Sequence, residues 1–340
     1  MKVISQNFII ASRPNIFYLT GLRSSFGFVI LTEKENFLVT DARYFLRAKE
    51  CKGFTPVLFD VDFTNNLGNK FEGEFGIEDS VRFSTLSSFE KWFPNVKFQI
   101  QKLFVNELRR SKKLEEIEKM RIAARRVDDV LISTVKQNLK LGVTEKSVAW
   151  ELEKAIREGG DFELSFDIIV AFGSNSAIPH HETSDRQLQN NENVLVDIGA
   201  KFQNYCSDMT RNFFFGTPSS EYSNVYEKLK LAQEATSKRF KAGANVKDLD
   251  LFCRGKLGKL EENFSHSLGH GVGIQIHEAP SVSSRSDEIL IVNDVATCEP
   301  GVYFEGKFGI RIEDMVLVGD QGSEILTKTE RDLVFTNSSQ

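Results

Sequence analysis

The chain carries five histidines, His180, His181, His266, His270 and His277, and none precedes residue 180. Three of them share one short segment, residues 264–280, which runs F-S-H-S-L-G-H-G-V-G-I-Q-I-H-E-A-P. Imidazole can ligate a metal, move a proton or donate to a developing anion. Gly269, Gly271 and Gly273 flank His270, where the missing side chain lets another backbone or a ligand come close. In a straight strand His270 and His277 would point to opposite faces. They serve one site only if the glycines bend or bulge the strand, or if the two contribute from different levels.

Two acidic pairs add a second kind of chemistry. Residues 193–200 alternate Val194 and Val196 against Leu195 and Asp197, as a strand does, and residues 205–215 read as its partner. A turn centred on Phe202 and Gln203 would set Asp197 directly opposite Asp208 on one face. Glu299 and Glu313 repeat the arrangement around a turn near Gly306, with Pro300 and Gly301 interrupting the strand. Like charges opposed across a ladder are destabilising, and burying them unpaired raises a pKa or carries a heavy desolvation cost. A divalent cation between them reverses the sign of that interaction. Most acids simply face solvent, and one isolated pair would be read that way. Two pairs, each inside a strongly apolar strand (V-L-V-D-I and I-R-I-E-D), favour metal.

Other catalytic patterns fail. His277-Glu278 lacks the second histidine of an H-E-x-x-H helix, because Ser281 stands there. No G-x-S-x-G nucleophile elbow occurs. The glycines around His270 miss a dinucleotide fingerprint, with Ile276 in the last place and strands rather than a strand-to-helix turn around them.

The elements that must hold these residues follow from periodicity. Residues 1–110 read as a small α/β unit, with strands expected at 28–31, 37–40, 55–59, 75–77 and 96–100 and helices at 43–52 and 84–93. It contains no histidine and no catalytic constellation. Residues 111–138 place Leu114, Ile117, Met120, Ala124, Val127, Leu131 and Val135 at steps of three and four, one face of a long helix. The domain boundary is expected within 102–113, with that long helix as the connection. Thr144 can cap a second helix facing Val148, Leu152, Ala155 and Ile156 inward, ended by Gly159 and Gly160.

A strand at 166–172 and the first acidic hairpin come next, then helices at 222–242 and 246–257, glycine-rich strands and the second hairpin. Glu299 follows Asp197 by 102 residues and Glu313 follows Asp208 by 105. Two similar halves meeting face to face would bring both acidic hairpins to one seam.

Bulk properties narrow the class. A hydrophobic fraction of 41% and a charged fraction of 27% are those of a globular protein. The net charge of −5 gives no sign of a nucleic-acid or anionic-membrane surface. No apolar run approaches the ~20 residues of a membrane helix, and residues 1–20 lack the pattern of a secretory leader. A cytoplasmic location is therefore expected, with Cys51, Cys206, Cys253 and Cys298 reduced. Cys206 and Cys298, beside the acids, are read first as packing residues. The 29 phenylalanines add core volume.

Taken together, the segments D-I-G-A…Y-C-S-D-M-T-R (197–211), H-x-x-x-H…H-E-x-P (266–280), E-P-G-x-Y (299–303) and G-I-R-I-E-D (309–314) resemble the pita-bread metallopeptidases. That group includes aminopeptidase P, prolidase and methionine aminopeptidase. N-S-A-I-P-H-H (175–181) looks like the proline-specific branch, as do N-I-F-Y-L-T-G (15–21) and T-D-A-R-Y (40–44).

The resemblance implies an α+β protein. A creatinase-like α/β N-terminal domain would span 1–110. A pita-bread catalytic domain of duplicated helix pairs and antiparallel sheet would span 111–340. It implies two divalent metal ions, Mn²⁺ first by its oxygen-rich ligation, with Co²⁺ or Zn²⁺ also able to bind. Asp197 would chelate one ion, His270 and Glu299 the other, and Asp208 and Glu313 both. A bridging hydroxide would attack the carbonyl before proline. Glu299 would shuttle the proton, and His277 would donate to the oxyanion. His266 and His180 would line the substrate site, and Arg311 would orient a bridging carboxylate or a catalytic histidine.

The expected substrate is a peptide with proline at its second position, and the expected assembly a homodimer. Aminopeptidase P activity is placed first, ahead of prolidase activity. A non-catalytic peptide-binding module on the same fold is disfavoured, because no ligand is lost. The Cys298 and Ser267-Leu268 positions depart from the family's usual residues without removing a functional group.

Overall fold

The apolar runs at the start of the chain become a six-stranded mixed sheet in the computed structural model, which describes residues 7–101 and 104–336. The chain divides into two units, Met1–Arg109 and Arg110–Gln340. In the first, strands β1 (Asn7–Ile10), β2 (Phe28–Leu31), β3 (Asn36–Thr40), β4 (Thr55–Leu58), β5 (Gly73–Glu78) and β6 (Val96–Gln101) lie in the order β4-β3-β2-β1-β5-β6. Both faces are buried. Phe8, Ile10, Val29 and Leu31 point to one core, and Ile9, Phe28 and Ile30 to the other. The two-residue period of a strand produces that division.

Phenylalanine fills the second core, where the Phe28 ring lies 5.0 Å from Phe89 and 5.8 Å from Phe63. Helices α1 (Arg13–Thr20), α2 (Phe45–Ala48), α3 (Phe63–Asn66), α4 (Phe83–Trp92) and α5 (Phe104–Arg110) complete the unit. The helix expected at 43–52 shrinks to the single turn α2, and β1 and α1 were not anticipated.

The second unit begins with α6 (Leu114–Asn138) and α7 (Glu145–Arg157). The predicted stripe of α6 is buried except at its first member, Leu114, which is exposed. The helix lies wholly inside this unit, so it is not the connection the sequence suggested. Thr144 caps α7 through the Ser147 amide, as its position and hydroxyl predict.

Strands β7 (Phe162–Leu164), β8 (Ile169–Phe172), β9 (Glu192–Ile198), β10 (Ala200–Phe202), β11 (Tyr205–Cys206) and β12 (Met209–Phe215) follow. Helices α8 (Ser220–Ser237) and α9 (Val246–Leu257) then lead to β13 (Gly269–Gly271), β14 (Glu278–Val282), β15 (Val295–Cys298), β16 (Gly301–Phe304), β17 (Phe308–Arg311), β18 (Asp314–Val318), β19 (Ser323–Ile325) and β20 (Val334–Thr336).

The unit is doubled in its hydrogen bonding as well as its layout. Asn245 caps α9 as Thr144 caps α7. The Gly142 amide donates to the Leu188 carbonyl at 3.0 Å, and Gly243 to Leu290 at 2.8 Å. Isolated bridges pair Thr144 with Gln187 and Asn245 with Ile289. Each half packs its helix pair on its own sheet, ordered β20-β12-β9-β8 in the first and β14-β13-β15-β18-β19 in the second. These are the α+β class and duplicated catalytic architecture expected of the resemblance.

The first acidic hairpin corrects the predicted register. Phe202 pairs with Tyr205, so Gln203 and Asn204 form the turn, both with positive φ (46° and 73°). That is a two-residue turn whose twist matches the strands it joins. Asp197 therefore faces Thr210, not Asp208, and Asp208 falls at the gap between β11 and β12, two places along the same face. In the second hairpin Gly306 sits in the turn with φ +71°, and the ladder pairs Cys298 with Asp314 and Gly301 with Arg311. Continuing that register sets Glu299 opposite Glu313, in the interruption at Pro300 that the sequence indicated.

Candidate metal centre

One cavity of about 450 Å³ is lined by Asp197, Asp208, His270, Glu299, Glu313, His180, His266, His277 and Arg311. Every site residue proposed from sequence thus lies on its wall. The fold delivers them from both halves. Asp197 is inside β9 and Asp208 just before β12, whereas His270 is the middle residue of β13, and Glu299 and Glu313 flank the β15–β18 ladder.

The histidine geometry follows from the glycines. The pairing of β13 with β14 slips between His270 and Gly271, a bulge that reorients the strand. A Cβ on Gly271 would lie 2.1 Å from the Ala279 carbonyl oxygen, so only glycine admits this approach. His277 lies in the connection leading to β14, not in the strand of His270, and the two rings meet edge to face with centroids 4.3 Å apart.

Ligand-type atoms converge. Asp208, His270 and Glu313 each offer one atom within 4.8 Å of the others, a cluster able to hold a metal ion. His270 Nδ1 lies 3.1 Å from the Gly271 carbonyl and so carries the proton there. Nε2 is left facing Glu299 Oε1 at 3.3 Å and Asp208 Oδ2 at 3.6 Å. Thr297 Oγ1 donates to Glu299 Oε1 at 2.9 Å, and Thr210 Oγ1 donates to Glu313 Oε2 at 2.6 Å. Asp197 Oδ1 is buried with no hydrogen-bond partner. A buried carboxylate oxygen left bare in this way is costly unless a cation meets it.

The electrostatics carry the same strain. Burial, followed by repulsion from neighbouring carboxylates, pushes Asp208 and Glu313 well above the usual carboxylate range. Burial raises Glu299 to about 7. Burial lowers His270 and His277, and burial together with the nearby Arg311 charge brings His266 down to about 4, so it is neutral near pH 7. Such opposed shifts in one cleft are characteristic of functional sites.

Arg311 reaches further than expected. Its Nη2 donates to Asp197 Oδ2 at 2.6 Å, Nε to Thr210 Oγ1 at 3.0 Å, and Nη1 to the Pro179 carbonyl and the Tyr303 hydroxyl, both at 3.1 Å. Tyr303 in turn lies 2.9 Å from His266 Nε2. Because His266 Nδ1 donates to the Ser267 carbonyl at 2.8 Å, Nε2 accepts from the tyrosine. The guanidinium thus contacts Asp197 directly and meets Glu313 and His266 each through one hydroxyl.

Thr210, Thr297 and Tyr303 were missed as site residues. Thr210 and Tyr303 lie inside the quoted family segments, and the correct register, in which Thr210 faces Asp197, was the further signal for Thr210. His181 turns away from the cleft to Glu145 Oε2 at 2.8 Å. Cys206 and Cys298 are buried outside the cavity wall, and burial lifts the Cys206 thiol to about 11, which fits packing rather than ligation.

A duplicated helix-and-sheet fold that closes a carboxylate- and imidazole-lined cleft defines a metal-dependent hydrolase of the pita-bread class. The model of metallopeptidase family M24 matches residues 118–320, and that of the creatinase/prolidase N-terminal domain matches residues 5–111. The chain belongs to metallopeptidase family M24.

Among its relatives is an Xaa-Pro dipeptidase of Pyrococcus horikoshii, 31% identical, with 96% of this chain and 93% of that one covered. An X-Pro aminopeptidase of Thermotoga maritima superimposes with a TM-score of 0.88 at 35% identity, covering 96% of this chain and 97% of its own. An Xaa-Pro dipeptidase of Bacillus anthracis gives a TM-score of 0.92 at 30% identity, covering 97% and 95%.

Proposed function

We propose that the protein is a dinuclear metallo-exopeptidase that removes the first residue from peptides with proline at the second position. One observation carries this: four carboxylates and one imidazole converge in a cleft where Asp197 Oδ1 is buried without a partner. That donor set fits two divalent cations, whose charge would balance the four carboxylates. Asp197 would hold one ion and His270 with Glu299 the other, with Asp208 and Glu313 shared. Bound there, the ions would supply Lewis acidity and lower the pKa of water for attack on the peptide carbonyl. Oxygen-rich ligation with a single imidazole favours Mn²⁺, ahead of Co²⁺ or Zn²⁺.

The protein's own groups do the rest. Glu299, on the cleft wall with its Oε1 3.3 Å from His270 Nε2, accepts and returns the proton. His277, at the edge of the His270 ring, donates to the oxygen that gains charge. His180 and His266 border the substrate, and Arg311 holds Asp197 and the Pro179 carbonyl in place. The domain division at 110/111 forms part of the same proposal, with a creatinase-like first domain and a catalytic second. A homodimer rests on family resemblance. A cytoplasmic location is supported by four free cysteines. Among the described residues no helix is long and apolar enough to cross a membrane.

Relatives named for both activities make prolidase the competing outcome. Assay of Xaa-Pro-Xaa and Xaa-Pro peptides with and without Mn²⁺, alongside metal analysis, decides between them. Turnover of the longer peptide alone is expected. Turnover confined to the dipeptide selects prolidase, and absence of metal and turnover overturns the proposal.

A further inference from the structure

Glu145, the first residue of α7, is fully buried and does not line the cavity. Its carboxylate gathers five donors, all from residues 172–184. Oε1 accepts from the Phe172 amide at 2.8 Å and Asn175 Nδ2 at 2.9 Å. Oε2 accepts from His181 Nε2 at 2.8 Å, the Ser184 amide at 3.0 Å and Ser184 Oγ at 2.6 Å. Charge-assisted bonds of this kind are roughly twice as strong as neutral ones, and here they close both ends of one loop onto a single point. The inner side of that loop carries Pro179, whose carbonyl accepts from Arg311, and His180, which faces the cleft.

The other half repeats the device. Asp250, buried on α9, accepts from the Leu268 amide at 3.1 Å and Arg254 Nε at 2.7 Å. Arg254 Nη2 reaches the His266 carbonyl at 2.7 Å. In each half an acid buried on the second helix secures the segment that carries a cleft histidine.

We propose that Glu145 is a positioning residue, which sets His180 and the Pro179 carbonyl at the rim of the substrate site through the loop it gathers. The proposal rests on the reading of His180 as a substrate contact. Glu145→Gln keeps the volume of the side chain but turns an amide NH₂ toward groups that are themselves donors, so at least one bond is lost.

In the metal-loaded enzyme this variant is expected to lower kcat/KM for an Xaa-Pro-Xaa peptide about 10- to 100-fold, mainly through KM, with both ions retained. Combined with His180→Ala it should cost well under the product of the two single effects, because the His180 contact is shared and only the Pro179–Arg311 bond remains to be lost. Independent, multiplying effects, or a lowered Tm with KM unchanged, overturn the proposal.

If Glu145→Gln does not fold, Ser184→Ala and Asn175→Ala each remove one donor and should raise KM by a smaller factor of about 2 to 10. Unchanged KM in both overturns it. A crystal structure of a folding variant separates this proposal from the function itself. Displacement of His180 supports the positioning role even if no Xaa-Pro peptide is turned over, and an unmoved His180 ends it.

Discussion

In the first acidic hairpin the ladder register sets Asp197 opposite a neutral residue, Thr210, and Asp208 two places away. In the second, the register on both sides sets Glu299 opposite Glu313 itself. The cation held within the site, Arg311, comes from the second hairpin but donates to Asp197 of the first, 2.6 Å away. Glu299 and Glu313 receive hydroxyl donors, Thr297 and Thr210, and no guanidinium contact is recorded for either among the described residues. The first hairpin thus has one acid in direct contact with a guanidinium, whereas the second places two facing acids that Arg311 offsets only through space and, for Glu313, through the Thr210 hydroxyl, so an added cation has more to relieve there. Duplication has repeated the strands without repeating the electrostatics.

The comparison breaks most visibly at Asp208, the first hairpin's member of the cluster with His270 and Glu313. Asp208→Ala should abolish dinuclear binding and lower activity by about a thousand-fold or more, corresponding to the several kcal/mol such ions contribute. Metal analysis after dialysis, together with the peptide assay, measures both. Two tightly held ions with full activity would remove Asp208 from the ligand set and leave the second hairpin to bind alone.

A smaller effect sharpens the contrast from the other side. Burial raises the Glu299 carboxyl to about 7 from 4.5, so in metal-free protein it contributes stability at low pH that is lost as pH rises through that window. Asp208 and Glu313, also raised, act in the same sense, and the lowered histidines act in the opposite sense, His266 between about 4 and 6.5, so total stability mixes them all. The difference between wild type and Glu299→Gln reports the glutamate together with the repulsion it exerts on Asp208 and Glu313. In chelator, the glutamine variant should gain on wild type by several degrees in Tm between pH 5 and pH 8, and the gain should vanish when Mn²⁺ is added. A constant difference across that range would show that Glu299 is not strained in the empty cleft.

Much of this site was legible from residue type and spacing. Apolar strand context exposed the acids as buried and the glycines marked where backbones approach at His270, whereas the roles of His180, His266, His277 and Arg311 came from the family resemblance; all of them meet in one cavity. Long-range consequences were less legible. The His270–His277 conflict required a bulge that no local pattern locates. Tyr303 and Glu145 act through contacts across the fold, 37 residues from His266 and 36 from His181; Tyr303 closes the E-P-G-x-Y segment, whereas nothing around Glu145 signals its role. The helix expected at 43–52 is regular only over Phe45–Ala48, with turns on either side. The register of the first hairpin failed by two residues, which kept every side chain on its correct face and so left the error invisible to pattern alone.

That register is held by a turn that the sequence did not advertise, and it supplies the smallest test. Gln203 and Asn204 both take positive φ, yet glutamine has no short polar group to ease the left-handed conformation, which costs an ordinary residue about 1–2 kcal/mol. Gln203→Asn should therefore stabilise by up to about 1 kcal/mol, or roughly 1–2 °C in Tm for a chain of this size. In the second hairpin Gly306 already meets the same demand at φ +71°, and an added Cβ there has open space around it. Gly306→Ala should consequently destabilise by a similar amount through the backbone alone. Thermal unfolding of the two variants with metal bound should move in opposite directions. Shifts of the same sign would mean that turn strain is not what separates the two hairpins.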